Sequence, residues 1–145
     1  MIGLLQRVSQ ASVSVDNHMI AEIDQGLLVL IGIQRGDAEP QADRLLERLL
    51  GYRVFEDQQG KMNLNVAEIS AGLLLVPQFT LAADTQKGMR PSFTSAAAPE
   101  AAECLFDYLF QKAAQQHENV SAGKFGANMQ VALINDGPVT FCLQG

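Results

Sequence analysis

Residues 73–93, LLLVPQFTLAADTQKGMRPSF, decide how this chain is read. The continuous apolar run Leu73-Leu74-Leu75-Val76 has the length of a strand buried on both faces. Polarity then changes abruptly: Pro77, Gln78, Phe79 and Thr80 put two short polar side chains at the strand's end, and a loop of small and charged residues runs on to Met89-Arg90-Pro91-Ser92-Phe93. Polar groups at the end of a rigid strand, beside a long loop, are a common layout for a binding or reaction site. A strand end with a plain surface turn is the simpler alternative.

Working outward, Leu27–Ile33 (LLVLIGI) is a second near-continuous apolar run and predicts a central strand. Ile2 to Val8 predicts a strand carrying Gln6 and Arg7 near its end. Ser12–Val15 and Met19–Ile23, around the turn signal Asp16-Asn17, predict a hairpin. A helix is predicted from Ala38 to Gly51, with Asp37 as its cap, Pro40 in its first turn, and Leu45, Leu46, Leu49 and Leu50 at helical spacing. Val54-Phe55 and Lys61–Asn65 flank an acidic turn; Asn63 and Asn65 share one side of an extended segment, where they line a polar pocket or stabilise a turn. A second helix is predicted from Pro99 to His117, with an apolar stripe of Ala102, Leu105, Phe106, Leu109, Phe110 and Ala113. Met129–Ile134 reads as a strand, Asn135-Asp136-Gly137-Pro138 as a sharp turn, and Val139–Leu143 as the last strand. Seven or eight short strands with two helices predict an α+β fold: a largely antiparallel, barrel-like sheet with both helices packed on it, forming one domain over residues 1–145.

Composition narrows the functional classes. Ten Lys+Arg against 16 Asp+Glu give a formal charge of −6, which argues against broad attraction to DNA or to anionic membranes but leaves room for contact with a few phosphates. Cys104 and Cys142 lack metal-type spacing and read as reduced core residues; with no membrane-length apolar segment, a soluble, cytoplasmic protein is expected. Most catalytic templates fail. His18 and His117 have no partners at ligand spacing, so no zinc site is expected, and phosphate-binding glycine loops and nucleophile elbows are missing. Ser92 and Thr80 have no histidine base nearby in sequence. Two features remain. The backbone amides of Gln78-Phe79-Thr80 are candidates to meet a developing oxyanion, and Gly137-Pro138 suits a cis bond or a strained turn that projects its carbonyls, with a tight hairpin turn as the plainer reading.

Taken together, Met62-Asn63-Leu64-Asn65, Gln78-Phe79-Thr80-Leu81-Ala82-Ala83-Asp84, Gly88-Met89-Arg90-Pro91-Ser92-Phe93 and Asn135-Asp136-Gly137-Pro138-Val139-Thr140 closely resemble the D-aminoacyl-tRNA deacylase family. The likeness runs from Gln6-Arg7-Val8 through Gly51-Tyr52-Arg53 to the last strand, four motifs in order along one chain of the family's length.

The resemblance implies a homodimeric editing hydrolase without cofactor or metal. Such an enzyme cleaves the ester between a D-amino acid, or misplaced glycine, and the terminal ribose of tRNA. It also implies that Gly137, Pro138 and Thr140 form the chiral-selectivity motif, a cis dipeptide entering the partner subunit's site so that its carbonyl oxygens collide with an L side chain. The amides around Phe79 and Thr80, with Gln78, would stabilise the oxyanion, and the ribose 2′-OH would help activate water. Thr80 as a covalent nucleophile, the basis of a small-ester hydrolase, is an older alternative. For tRNA contact the candidates are Arg7, Lys61, Lys87, Arg90 and Lys124, with Phe125 and Met129 against the terminal adenine; Arg7 has the alternative of bracing the Gly137-Pro138 turn. One departure stands out: the family pattern Ser-Gln-Phe-Thr has its serine where this chain has Pro77. A non-catalytic module that binds the tRNA 3′ end is therefore the alternative function.

Overall fold

A computed structural model describes residues 1–86 and 88–145. Among the described residues eight strands form: β1 (Ile2–Val15), β2 (His18–Ile23), β3 (Gly26–Gly32), β4 (Phe55–Glu56), β5 (Met62–Leu64), β6 (Gly72–Pro77), β7 (Val120–Ala122) and β8 (Gln130–Gln144). Two α-helices, α1 (Glu39–Gly51) and α2 (Pro99–Gln116), and a 310 turn over Phe79–Ala82 complete the set. The main sheet has the order β2-β1-β3-β6-β7, with β8 on the other side of β1. It is mixed. β1 pairs antiparallel with β2, β3 and β8, whereas β3, β6 and β7 run parallel, because the crossovers into β6 and β7 carry α1 and α2. β4 and β5 form a separate small ribbon.

The apolar runs behave as their patterning dictates. Leu27, Val29, Ile31, Leu73 and Leu75 point to a large core under the helices, joined by Leu45, Leu46, Leu49, Phe106 and Leu109. Their neighbours Leu28, Leu74 and Val76 face the opposite way, into a second cluster with Val8, Val13 and Ile23 that fills the inside of the curl. The sheet is nearly closed: Ile23, the last residue of β2, lies against the start of β6, where a Cβ on Gly72 would sit 2.8 Å from Ile23 Cβ. β3 and β6 start in contact. A Cβ on Gly26 would lie 2.0 Å from Gly72 O, so only glycine permits this approach.

Four expectations are corrected. Ile2–Val8 and Ser12–Val15 are one strand, with β3 paired to its first half and β2 to its second. Asn135–Pro138 does not reverse the chain: β8 stays antiparallel to β1 on both sides of it, and the segment bulges out. Asp37 does not cap α1; its carboxylate receives the Met1 ammonium (2.6 Å) and the Gln34 amide (2.7 Å), and the Ala38 amide donates instead to Gln41 Oε1 (3.0 Å). The cysteines are free but exposed, Cys142 because it alternates with buried Leu143 along β8. No helix among the described residues is long and apolar enough to cross a membrane.

Candidate active site

Pairing of β6 with β3 extends one residue past Pro77, where the Gln78 amide donates to Ile31 O (2.8 Å). The backbone then leaves the sheet and winds into the 310 turn. Its first internal bond is Leu81 N to Gln78 O (3.3 Å), so the amides of Phe79 and Thr80 lie ahead of the bonded part. Two contacts back the turn. A Cβ on Gly32 would sit 2.7 Å from Leu81 Cβ, and Ser95 Oγ donates to Ala82 O. Asp84 and Ser92 exchange backbone bonds (2.8 and 3.0 Å), which closes the base of the following loop and returns Phe93 to within 5.1 Å of the Phe79 ring. Phe79 is 60 % exposed, and Arg90 lies on the exposed part of the loop.

Thr80 Oγ1 is bonded by the Gln78 carboxamide. A carboxamide is not a base in either orientation, so this contact orients the hydroxyl without activating it. The histidines are engaged elsewhere: His117, buried at the end of α2, meets Ala71 O (2.6 Å), and His18 meets Asp16 O (2.8 Å). Among the described residues no group of three or more His, Cys, Asp and Glu gathers as a metal site.

Pro77 fits where it stands. On β6 the amides that reach β3 are those in phase with Gln78, so residue 77 turns its nitrogen toward β7, as Leu73 does when its amide donates to Asn119 O. β7 ends at Ala122, and its last tie to β6 is Gly123 N to Leu75 O (2.8 Å). The missing N–H therefore falls at the end of that pairing, a place where proline is tolerated. Its ring packs toward Gly123, which has no side chain and so leaves room for Met129: a Cβ there would be 2.8 Å from Met129 Sδ and 3.4 Å from Pro77 Cδ.

The second motif lies on β8. Gln6 pairs with Thr140 and Val8 with Asn135, so four residues, Asp136 to Val139, stand against Arg7 alone. Val139 tucks into the core, while Gly137 and Pro138, joined by a cis peptide bond, are exposed. Gly137 has φ +143°, and a Cβ on it would meet Val139 Cγ2 at 2.6 Å. Arg7 is only 7 % exposed: Nε donates to Asp136 O (2.9 Å) and Nη1 to Val54 O (2.6 Å), bracing the bulge from within the sheet instead of presenting charge outside. Asn135 closes the neck. Its Oδ1 accepts the Val139 amide (2.7 Å), and its Nδ2 donates to Thr140 Oγ1 (2.9 Å). Neither Asn135 nor Ser95 drew a role from sequence; their signal appears only when strand register is known.

Other sequence candidates distribute as follows. Phe125 is half-buried, 6.5 Å from Phe106 of α2, and packs on the core. Met129 is half-buried beside Pro77 and against the inner cluster. Lys61 and Lys124 are exposed, and Lys87 lies outside the described residues. Asn65 caps a turn, accepting the Ala67 and Glu68 amides, and Asn63 accepts from Arg53. The two motifs lie apart on one copy: from the Arg7–Leu27 pair to the Ile31–Pro77 pair is about 13 Å along the strands, and β8 to β6 is about 14 Å across them, roughly 20 Å over the sheet.

Comparison with known proteins gives this arrangement its context. A family model described as D-Tyr-tRNA(Tyr) deacylase matches residues 4–144. The chain is 60% identical to the D-aminoacyl-tRNA deacylase of Nitrosococcus oceani over 99% of this chain and 93% of the relative, and 60% identical to that of Pseudomonas putida over 99% of each. A solved structure titled c-Myc DNA Unwinding Element Binding Protein superposes with a TM-score of 0.96 at 37% identity, covering 100% of this chain and 99% of that one. A probable eukaryotic D-amino acid tRNA deacylase shares the fold, with a TM-score of 0.84 at 18% identity over 99% and 98%. The class thus defined is that of a hydrolase. The chain belongs to the D-aminoacyl-tRNA deacylase family.

Proposed function

We propose that this protein edits aminoacyl-tRNA as a dimer, cleaving the ester of D-aminoacyl-tRNA, and of glycine on the wrong tRNA, with a site built largely from backbone. Water adds to the ester carbonyl, the oxyanion is met by the Phe79 and Thr80 amides, and collapse expels the ribose oxygen, which takes up the proton the water loses. The ribose 2′-OH next to the ester orients that water, so no protein base is needed. Gln78 fixes Thr80. Gly137 and Pro138 of the second copy turn their carbonyl oxygens to the substrate's α-carbon, where a hydrogen fits and an L side chain collides; Thr140 and Arg7 hold them there. Arg90, Phe125 and Met129 line the approach of the tRNA end.

The observation that supports this reading is the separation just described: an exposed, braced Gly137–Pro138 bulge and a 310 turn lie about 20 Å apart on the same sheet, so the bulge of one copy is free to meet the turn of a second. Pro77 leaves the pairing of Gln78 with Ile31 intact, so the strand end that leads into the turn is kept without the family's serine. Incubation with D-aminoacyl-tRNA and its L counterpart tests the proposal: rapid ester loss from the D form alone is expected. Binding without loss would make the protein a tRNA 3′-end module, and equal loss of both would remove chiral selection.

A further inference from the structure

Across the bulge of β8, four residues face one, so the sheet's own hydrogen bonds cannot fix the shape of the segment that carries Gly137 and Pro138. Something else has to, and the half-buried Asn135 side chain spans the neck. One end accepts the Val139 amide at 2.7 Å; the other donates to Thr140 Oγ1 at 2.9 Å, with Val139 O also within 3.4 Å. Arg7 holds only the first limb of the bulge, through Asp136 O. Asn135 ties the point of departure from the ladder to the point of return, and the exposed apex lies between them.

We infer that Asn135 is a positioning residue for stereochemical selection: its carboxamide replaces the absent sheet bonds and fixes the direction in which the Gly137–Pro138 carbonyls project. The inference rests on the editing function proposed above. A fixed carbonyl rejects an L side chain by collision, and a loosened one yields. Loss of the clamp therefore acts on the wrong substrate first: L-aminoacyl-tRNA hydrolysis rises, while the 310 turn that meets the oxyanion is untouched.

Asn135→Ala removes both ties. Asn135→Asp keeps an acceptor for the Val139 amide and loses the donor to Thr140. With kcat/KM measured on D- and L-aminoacyl-tRNA, the D:L ratio of Asn135→Ala is expected to fall at least about tenfold, the scale of two lost hydrogen bonds, chiefly through faster L hydrolysis. Asn135→Asp is expected to fall between Asn135→Ala and the native protein. Hydrogen exchange of the Val139 amide supplies a readout free of substrate, slow in the native protein and Asn135→Asp and fast in Asn135→Ala. An unchanged ratio in Asn135→Ala, or D and L rates that fall together, overturns the inference. Should Asn135→Ala not fold, Asn135→Asp with native selectivity and Thr140→Val with native selectivity do so together. A native protein that does not prefer the D ester fails in its own assay, before any variant, and so marks failure of the editing reading.

Discussion

At the scale of single residues, Thr80 and Gly137 separate competing chemistries. The Thr80 hydroxyl is held by Gln78 and has no base bonded to it among the described residues, so Thr80→Ala removes one hydrogen bond to a neutral group. Activity on D-aminoacyl-tRNA is expected to drop less than about tenfold, the worth of one such bond; loss of turnover altogether would identify the hydroxyl as a nucleophile. Gly137→Ala sets a side chain on a backbone with φ +143° and within 2.6 Å of Val139 Cγ2, which costs roughly 1–3 kcal/mol and shifts the apex. A lowered melting temperature together with a smaller D:L ratio is expected; unchanged selectivity would count against the apex as the selector. Gln78, Thr80, Gly137 and Pro138 stood out in sequence because each stands in a compact motif. Arg7 was legible only as a choice between two roles. In the structure its guanidinium reaches Val54 O and Asp136 O, partners that are far away in sequence, as the brace requires.

At the scale of elements, the two apolar runs announced β3 and β6, and the leucine spacing announced α1 and α2. What sequence could not supply was neighbourhood. Asn-Asp-Gly-Pro has the composition of a hairpin turn, yet β1 is long enough to pair with the chain on both sides of it and keeps β8 on one course. The same applies to Asp37, which looks like a helix cap until the Met1 ammonium arrives from the start of β1, where Ile2 pairs with Gly32 at the end of β3. The parallel join of β3 to β6 carries its own prediction. Gly26→Ala forces a methyl to within 2.0 Å of Gly72 O, and backbone cannot yield as a side-chain tip can. A loss of about 3 kcal/mol or more is expected in urea denaturation, or failure to fold; a stable Gly26→Ala protein would mean that the two strands can part.

At the scale of the whole molecule, a formal charge of −6 and a nucleic-acid substrate are reconciled if few phosphates are touched. Arg7 is withdrawn into the sheet, which leaves exposed Arg90, Lys61 and Lys124 among the described residues as candidates. Affinity for tRNA is expected to fall with salt, with a log–log slope of about −0.7 for each single-strand phosphate contacted, and Arg90→Ala or Lys124→Ala to flatten it by about that amount. A slope near zero in the unaltered protein would exclude phosphate contacts.

The bulge of β8 adds one last consequence. Its two feet are each paired with β1, Thr140 with Gln6 and Asn135 with Val8, the latter beside a second register shift between Val8 and Gln10, so the height between them is set by the bulge itself. Two residues inserted at the summit would raise it by about 3 Å and leave both feet in place. Reach is thus an adjustable dimension of this architecture, set by residue count alone, and open to tuning without rebuilding the barrel beneath.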